Sequence, residues 1–180
     1  MSRATWATAP IALAAALGLT TSAGAERLDN PLRFFEGRTE MVSIVRLLAK
    51  RPYRSRTLGR GEIHGDGSLR LVQQVHDEGR PAFSRRWRIR QVAPGRFSGT
   101  MSEARGPVTV QEVAGRYRFR FRMKGGLSIE QWLTPLADGR SARSQIIIRK
   151  LGMRVGSSEG TIRRLGAEPR VPGSGQGGPR

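Results

Sequence analysis

The stretch Arg116-Tyr-Arg-Phe-Arg-Phe-Arg-Met-Lys124 alternates a cationic and an apolar side chain at every step. Tyr117, Phe119, Phe121 and Met123 share one parity, and arginine or lysine fills every position of the other. Successive side chains of a β-strand point to opposite faces, whereas a helix would spread the arginines around its whole circumference. The stretch therefore predicts a strand with an apolar face toward a core and a cationic face toward water.

Turn signals recur at short intervals on both sides of this strand. They are Gly65-Asp66-Gly67, Asp77-Glu78-Gly79, Pro94-Gly95, Arg105-Gly106-Pro107, Gly115, Gly125-Gly126 and Asp138-Gly139. Several of the segments between them repeat the alternation, which is typical of consecutive antiparallel strands. Strands of nine or ten residues suit a closed barrel, and closure removes exposed sheet edges. The sequence predicts an all-β fold, an antiparallel meander closed into a barrel of about eight to ten strands.

The two ends of the chain differ from this pattern. Residues 1–25 combine a positive start, an apolar run and the small residues Ala23-Gly24-Ala25, which indicates a signal peptide and export to the periplasm. Residues 26–165 are expected to form the barrel domain, and residues 166–180 a disordered Gly/Pro-rich tail. In the lead-in, Asp29 or Asn30 could cap one short helical turn, and Phe34 and Phe35 are expected to close one end of the core.

Composition limits the possible chemistry. The 180 residues contain no cysteine, which excludes disulfides, thiolate metal sites and a lipid-modified cysteine anchor. With His64 and His76 as the two imidazoles, neither a metal site nor a cofactor is predicted. The formal net charge of +18 favours anionic partners, although arginine-rich coding can also produce a merely solvated cationic face.

Several short motifs occur in the order seen in a known family. They are Phe34-Phe35-Glu36-Gly37, Asp77-Glu78-Gly79, Arg86-Trp87-Arg88-Ile89, Arg96-Phe97-Ser98-Gly99-Thr100, Ala104-Arg105-Gly106, Ile129-Glu130-Gln131-Trp132-Leu133 and Lys150-Leu151-Gly152-Met153-Arg154-Val155-Gly156. In this order the chain resembles a lipocalin-like domain family of unknown function from proteobacterial envelope proteins, many of them described as lipoproteins. The resemblance implies a calycin-type barrel and no particular activity. The chain departs from the family in lacking the lipoprotein cysteine and in carrying Gln131 within an otherwise acidic pair.

Large aromatic side chains inside a small barrel either fill the core or line a ligand cavity. The candidate residues for binding a small hydrophobic or amphipathic ligand are Trp87, Tyr117, Phe119, Phe121, Glu130 and Trp132. Glu130 and Trp132 fall on the parity opposite Leu127, Ile129 and Leu133. Either these two side chains point into a partly polar lumen, or a bulge at Gly125-Gly126 resets the register. Glu130 is also a candidate ion-pair partner of Arg149 or Arg120.

The arginine faces form a second candidate surface, which comprises Arg86, Arg88, Arg90, Arg118, Arg120 and Arg122. Exposed together, they would suit the phosphates or sulfates of anionic lipid or envelope polysaccharide. Strand-based readers of nucleic acid place aromatics on the same face as the charges, so the opposite arrangement argues against nucleic acid. Nothing in the sequence predicts an oligomeric state.

A non-enzymatic binding protein is the leading hypothesis, and two alternatives remain open. One is an eight-stranded outer-membrane barrel, which would need an apolar exterior and most arginines in its lumen. The other is a hydrolase that uses lumen carboxylates, for which Glu40 and Glu130 are the candidates. Residues 156–160 match Gly-x-Ser-x-Gly, but both histidines precede Ser158, so a flexible turn is expected in place of a nucleophile elbow.

Overall fold

The computed structural model describes residues 30–166, so the predicted signal peptide and the tail from residue 167 onward lie outside the described residues. After a helical turn α1 (Pro31–Phe34), ten strands follow: β1 (Gly37–Leu47), β2 (Tyr53–Ile63), β3 (Leu69–Asp77), β4 (Phe83–Ala93), β5 (Arg96–Met101), β6 (Val108–Val113), β7 (Arg116–Met123), β8 (Leu127–Pro135), β9 (Ser141–Lys150) and β10 (Met153–Leu165). In the part of the chain that the structure describes, no helix has the length and apolarity needed to cross a membrane.

The ten strands form one closed antiparallel barrel. Each strand pairs with its neighbours in the chain, and β1 closes the ring by pairing with β10 from Arg38↔Leu165 to Leu47↔Gly156. Each predicted turn signal lies between two consecutive strands, except that Asp77 is the last residue of β3. The predicted all-β meander, closed into a calycin-like barrel, is therefore confirmed.

The β7 strand has the two faces that its sequence predicts. Tyr117, Phe119 and Phe121 are buried in the central core, and Met123 packs against it. Arg120 and Arg122 are exposed. The inward faces of β3, β4, β5 and β6 complete the core with mainly aliphatic and aromatic side chains, so this side of the interior is largely apolar, and the exterior carries arginines. This arrangement is the reverse of that of an outer-membrane barrel, whose outward face is apolar.

A single helical turn plugs one end of the barrel. Asn30 caps it, since its side-chain oxygen accepts a hydrogen bond of 2.9 Å from the backbone N–H of Leu32. Leu32, Phe34 and Phe35 are buried, which confirms the predicted closing role of the two phenylalanines. Position 61 on the adjacent strand β2 must be glycine, because a Cβ there would overlap the carbonyl oxygen of Phe35.

The Gly-x-Ser-x-Gly segment was expected to be a flexible turn, and this expectation is wrong. Residues 156–160 lie within β10, with the side chains of Ser157 and Ser158 buried. A Cβ at Gly160 would overlap the carbonyl oxygen of Val42, so this glycine permits close packing of β10 on β1. The turn lies earlier, at Leu151 and Gly152, both of which have positive φ.

Candidate functional site

The barrel encloses a cavity of about 60 Å³ next to the α1 plug. Its apolar wall consists of Leu32, Phe35, Met41, Leu69, Leu71, Trp87, Ile89, Phe119, Leu133, Ile146 and Ile162. Four polar side chains, Thr57, Gln73, Arg85 and Gln131, complete the lining. Pockets for drug-sized ligands measure about 300–1,000 Å³, so the interior of this barrel is largely filled by its own side chains.

The two glutamines in the lining are each held by a neighbouring side chain. The indole N–H of Trp87 donates to Gln73 Oε1 at 2.7 Å, and Gln131 Nε2 donates to Ser144 Oγ at 2.9 Å. These contacts occupy the carbonyl oxygen of Gln73 and the NH₂ group of Gln131. Gln73 therefore retains a donor and Gln131 an acceptor that can face a ligand.

Arg85 contributes the one positive charge in the cavity lining. Its Nε donates to both carboxylate oxygens of Glu103, at 3.1 and 3.3 Å, and Ser102 Oγ donates to the same carboxylate at 2.6 Å. Glu103 lies on the connection between β5 and β6. About a quarter of each side chain is exposed, 23% for Arg85 and 28% for Glu103, so this ion pair lies between the lumen and solvent.

A second group of polar side chains is buried along the β2-β1-β10-β9 side of the barrel. Ser43 is the register partner of Ser55, and Gly160 is the partner of both Ser43 and Ser144. The hydroxyl groups of Ser43 and Ser158 are buried without a hydrogen-bond partner among the described residues. One side of the interior is thus rich in hydroxyls, and the opposite side is aromatic.

The predicted aromatic residues divide into two groups. Trp87 and Phe119 line the cavity. Tyr117 and Phe121 are buried in the surrounding core, where the Phe121 ring meets the Trp87 ring edge-to-face at 5.5 Å. All four lie on the interior side as predicted, and their role in binding stays a prediction.

The predicted position of Glu130 and Trp132 in the lumen is wrong. Both lie on the outer face of β8, where the Trp132 ring lies under the guanidinium groups of Arg116 at 4.4 Å and Arg118 at 5.4 Å. The indole N–H of Trp132 donates to Glu130 Oε1 at 3.1 Å, so the expected arginine partner of Glu130 is replaced by the indole. The alternative, a bulge at Gly125-Gly126 that resets the register, is wrong too. The β7 and β8 strands pair without a register shift, and Gln131 takes the inward position.

The other carboxylate expected near the lumen is also on the outside. Glu40 accepts a hydrogen bond of 2.6 Å from Arg56 Nε, in a contact exposed to solvent. The two carboxylates proposed for a hydrolase therefore do not face the cavity. Within residues 30–166, no group of three or more His, Asp or Glu side chains could hold a metal ion.

The sequence analysis did not identify three of the polar residues that line the cavity, namely Gln73, Arg85 and Gln131. The alternation of inward and outward positions could have identified them. Gln73 shares the parity of Leu69 and Leu71, and Arg85 shares that of Trp87. Gln131 likewise falls between Ile129 and Leu133 on the inward parity. A polar residue at an inward position of a barrel strand requires a partner or a ligand, which makes each such interruption a candidate site residue.

The predicted arginine surface forms two separate rows on the exterior. Arg86, Arg88 and Arg90 are exposed on β4, whereas Arg118, Arg120 and Arg122 lie on β7. Three strand spacings separate the rows, or about 14 Å at about 4.8 Å per strand. The surface is therefore not one continuous wall.

Comparison with solved structures identifies proteins of similar fold. The S-type phycobiliprotein lyase from Guillardia theta is 10% identical with a TM-score of 0.61, over 76% of this chain and 92% of that chain. Rv2717c from M. tuberculosis is 13% identical with a TM-score of 0.56, over 74% of this chain and 94% of its own.

A protein of unknown function from Nostoc punctiforme, of the DUF3598 family, is 12% identical with a TM-score of 0.55. The match covers 74% of this chain and 48% of that protein. No family model and no curated protein matches the sequence. At these identities the likeness shows the fold alone, a lipocalin-like barrel.

Proposed function

We propose that this protein is a non-enzymatic binding protein whose lumen holds a small amphipathic molecule. The observation that carries the proposal is the composition of the cavity wall, in which an apolar surface around Trp87 and Phe119 is interrupted by Gln73, Arg85 and Gln131. A purely structural core gains nothing from a charged side chain at such a position. The lipocalin-like fold of the structural neighbours supports binding as the general role.

The dimensions of the cavity favour a short ligand. At about 10–15 Å³ per water, a volume of about 60 Å³ accommodates about four to six waters. That space corresponds to a molecule of a few heavy atoms, not to an extended lipid. Its apolar part would contact Leu71, Phe119 and Ile146 and release ordered water from the cavity.

The polar groups favour a carboxylate at the other end of the ligand. Arg85 and the NH₂ group of Gln73 are donors, and a guanidinium binds a carboxylate through parallel hydrogen bonds. Glu103 now occupies that position on Arg85 at 3.1 Å. Because Glu103 lies on a connection and not on a strand, a ligand carboxylate can replace it without disturbing the barrel.

Tryptophan fluorescence tests this proposal. The W6F/W132F variant retains Trp87 as its one tryptophan, and it is titrated with short-chain carboxylic acids and with alcohols of matched length. Saturable quenching by the acids, much weaker in R85Q, is the expected result. R86Q removes the same charge from the adjacent, outward-facing position and should bind as the parent does. No response to any compound, or equal affinity in R85Q and R86Q, would refute the proposal.

We infer in addition that the protein acts in the periplasm after removal of residues 1–25. This inference is supported by the signal-peptide pattern and by the resemblance to the proteobacterial envelope family. Mass spectrometry of the protein from a soluble periplasmic fraction should identify Glu26 as its first residue. Recovery of the protein with Met1 intact from the cytoplasm would contradict the inference.

Adsorption to anionic envelope lipid is a second candidate, favoured by the arginines of β3 and β4. Arg70 and Arg88 are direct register partners, and like charges in this position are destabilising unless an anion offsets them. Neither forms an ion pair with a carboxylate of the described barrel. R70E/R88E should lose binding to vesicles that contain phosphatidylglycerol. Retained binding would assign these charges to solubility alone.

A further inference from the structure

A groove on the outer surface lies beside the end of β7, where β7 extends beyond the shorter strand β6. The β6 strand pairs with β7 only as far as Arg120, so the end of β7 has a loop as its neighbour in place of a strand. There the backbone N–H of Arg105 donates to the carbonyl oxygen of Arg122 at 2.8 Å. The resulting groove has a volume of about 570 Å³, far larger than that of the lumen cavity.

Four arginines surround this groove. Arg105 reaches it from the loop, Arg120 and Arg122 from β7, and Arg149 from β9. None of the four forms an ion pair with a carboxylate of the described residues. Arg105, Arg120 and Arg122 are exposed, so their guanidinium groups can turn toward a bound molecule.

The register of the strands gives the groove a defined width. Ser128 pairs with Arg122 on one side and with Arg149 on the other. At about 4.8 Å per strand, the two arginine Cα atoms are about 10 Å apart with the small serine between them. Two long cationic side chains can therefore converge over a hydroxyl donor.

The lining of the groove contains one carboxylate, that of Glu130, which is the register partner of Arg120. Glu130 Oε1 accepts the indole hydrogen bond of Trp132, and Arg120 Nη2 is 3.3 Å from Gln111 Oε1. Four guanidinium groups against one carboxylate leave the groove strongly cationic. Guanidinium groups bind phosphate oxygens in pairs, and hydroxyl groups add further donors.

We propose that this groove binds a phosphate group, of the monoester or diphosphate kind, carried by a soluble molecule or by a lipid headgroup. The site is separate from the lumen and does not depend on ligand binding there. Arg122 and Arg149 hold the group from two sides, Ser128 donates to it from below, and Arg105 and Arg120 close the ends.

Isothermal titration with inorganic pyrophosphate at about 0.15 M salt tests the site, because remote charges are largely screened under these conditions. R122Q/R149Q should bind at least about tenfold more weakly than the wild type, since each charge-assisted hydrogen bond is among the stronger polar contacts. R46Q/R164Q removes the same net charge at exposed positions outside the groove and should bind within about twofold of the wild type. Urea denaturation checks that both variants remain folded.

A second arm identifies the source of the phosphate. If vesicles of phosphatidylcholine with phosphatidate retain the wild type but not R122Q/R149Q, the group belongs to a lipid. Binding of pyrophosphate without such retention assigns it to a soluble molecule. Absence of pyrophosphate binding by the wild type, or equal weakening in both double variants, would overturn the proposal.

Discussion

Replacement of Trp87 by phenylalanine tests the inward orientation of this residue and its hydrogen bond. Trp87 is 8% exposed, and its indole N–H donates to Gln73 Oε1 at 2.7 Å. Loss of the donor leaves a part-buried carbonyl without a partner, at a cost of about 1–3 kcal/mol. The smaller ring also leaves a void of some tens of Å³, which costs about 1 kcal/mol at about 24 cal/mol per Å³. We therefore expect W87F to lower the free energy of unfolding by about 2–4 kcal/mol.

Urea denaturation followed by far-ultraviolet circular dichroism measures this loss without relying on tryptophan emission. W132F is the matched control, because Trp132 lies on the outer face and its arginine contacts contribute about 0.5–1 kcal/mol each at exposed sites. In the double variant W87F/Q73L no carbonyl is left unpaired, so part of the loss should be recovered. If W87F costs less than W132F, or if Q73L recovers nothing, the inward placement and its hydrogen bond are refuted.

The remaining predictions concern the turns and the close contacts between strands. A Cβ at Gly99 would overlap the carbonyl oxygen of Arg88, so G99A should lower the free energy of unfolding by about 3 kcal/mol or prevent folding. A Cβ at Gly65 meets no atom within 4 Å, so G65A should change the free energy of unfolding by less than about 0.5 kcal/mol in the same urea assay. Hydrogen bonds from Ser141 and from the backbone of Arg140 hold the pKa of Asp138 below its usual value of 3.8. A lowered folded-state pKa stabilises the protein above the unfolded-state pKa, and this contribution is lost as the pH falls through the folded-state value. The stability difference between the wild type and D138A should therefore shrink between about pH 5 and about pH 2, and a constant difference would contradict this role.

The barrel could be predicted because apolar and polar side chains alternate along most of its strands, and without interruption along β7. In β7 every inward position is apolar and every outward position is cationic, so parity alone orients the strand. The plug could be predicted for a similar reason, since Asn30 and two adjacent phenylalanines combine a cap with an apolar closure.

The candidate site was harder to predict because its contacts join distant parts of the chain. Arg85 is stabilised by Glu103, which lies 18 residues away on a connection. Trp132 looked like an interior residue because large aromatics are usually buried, but Arg118 on the neighbouring strand is its register partner and covers its ring from outside. Such pairing depends on register, which a single strand does not reveal.

The turn predicted at Gly156 and Gly160 was wrong for another reason. In sequence, glycine beside serine is typical of a turn. In the barrel, the same glycines allow β1 and β10 to approach closely at the seam that closes the sheet. This requirement comes from tertiary packing and leaves no local signal.

The central claim is that the ligand binds in the lumen and not on the tryptophan-bearing outer face. The indole N–H resonances of Trp87 and Trp132 in a two-dimensional NMR spectrum distinguish these sites within one titration. On addition of the tightest-binding short-chain carboxylic acid, the Trp87 resonance should shift with saturation while that of Trp132 stays in place. A shift confined to Trp132, with Trp87 unmoved, would contradict the account.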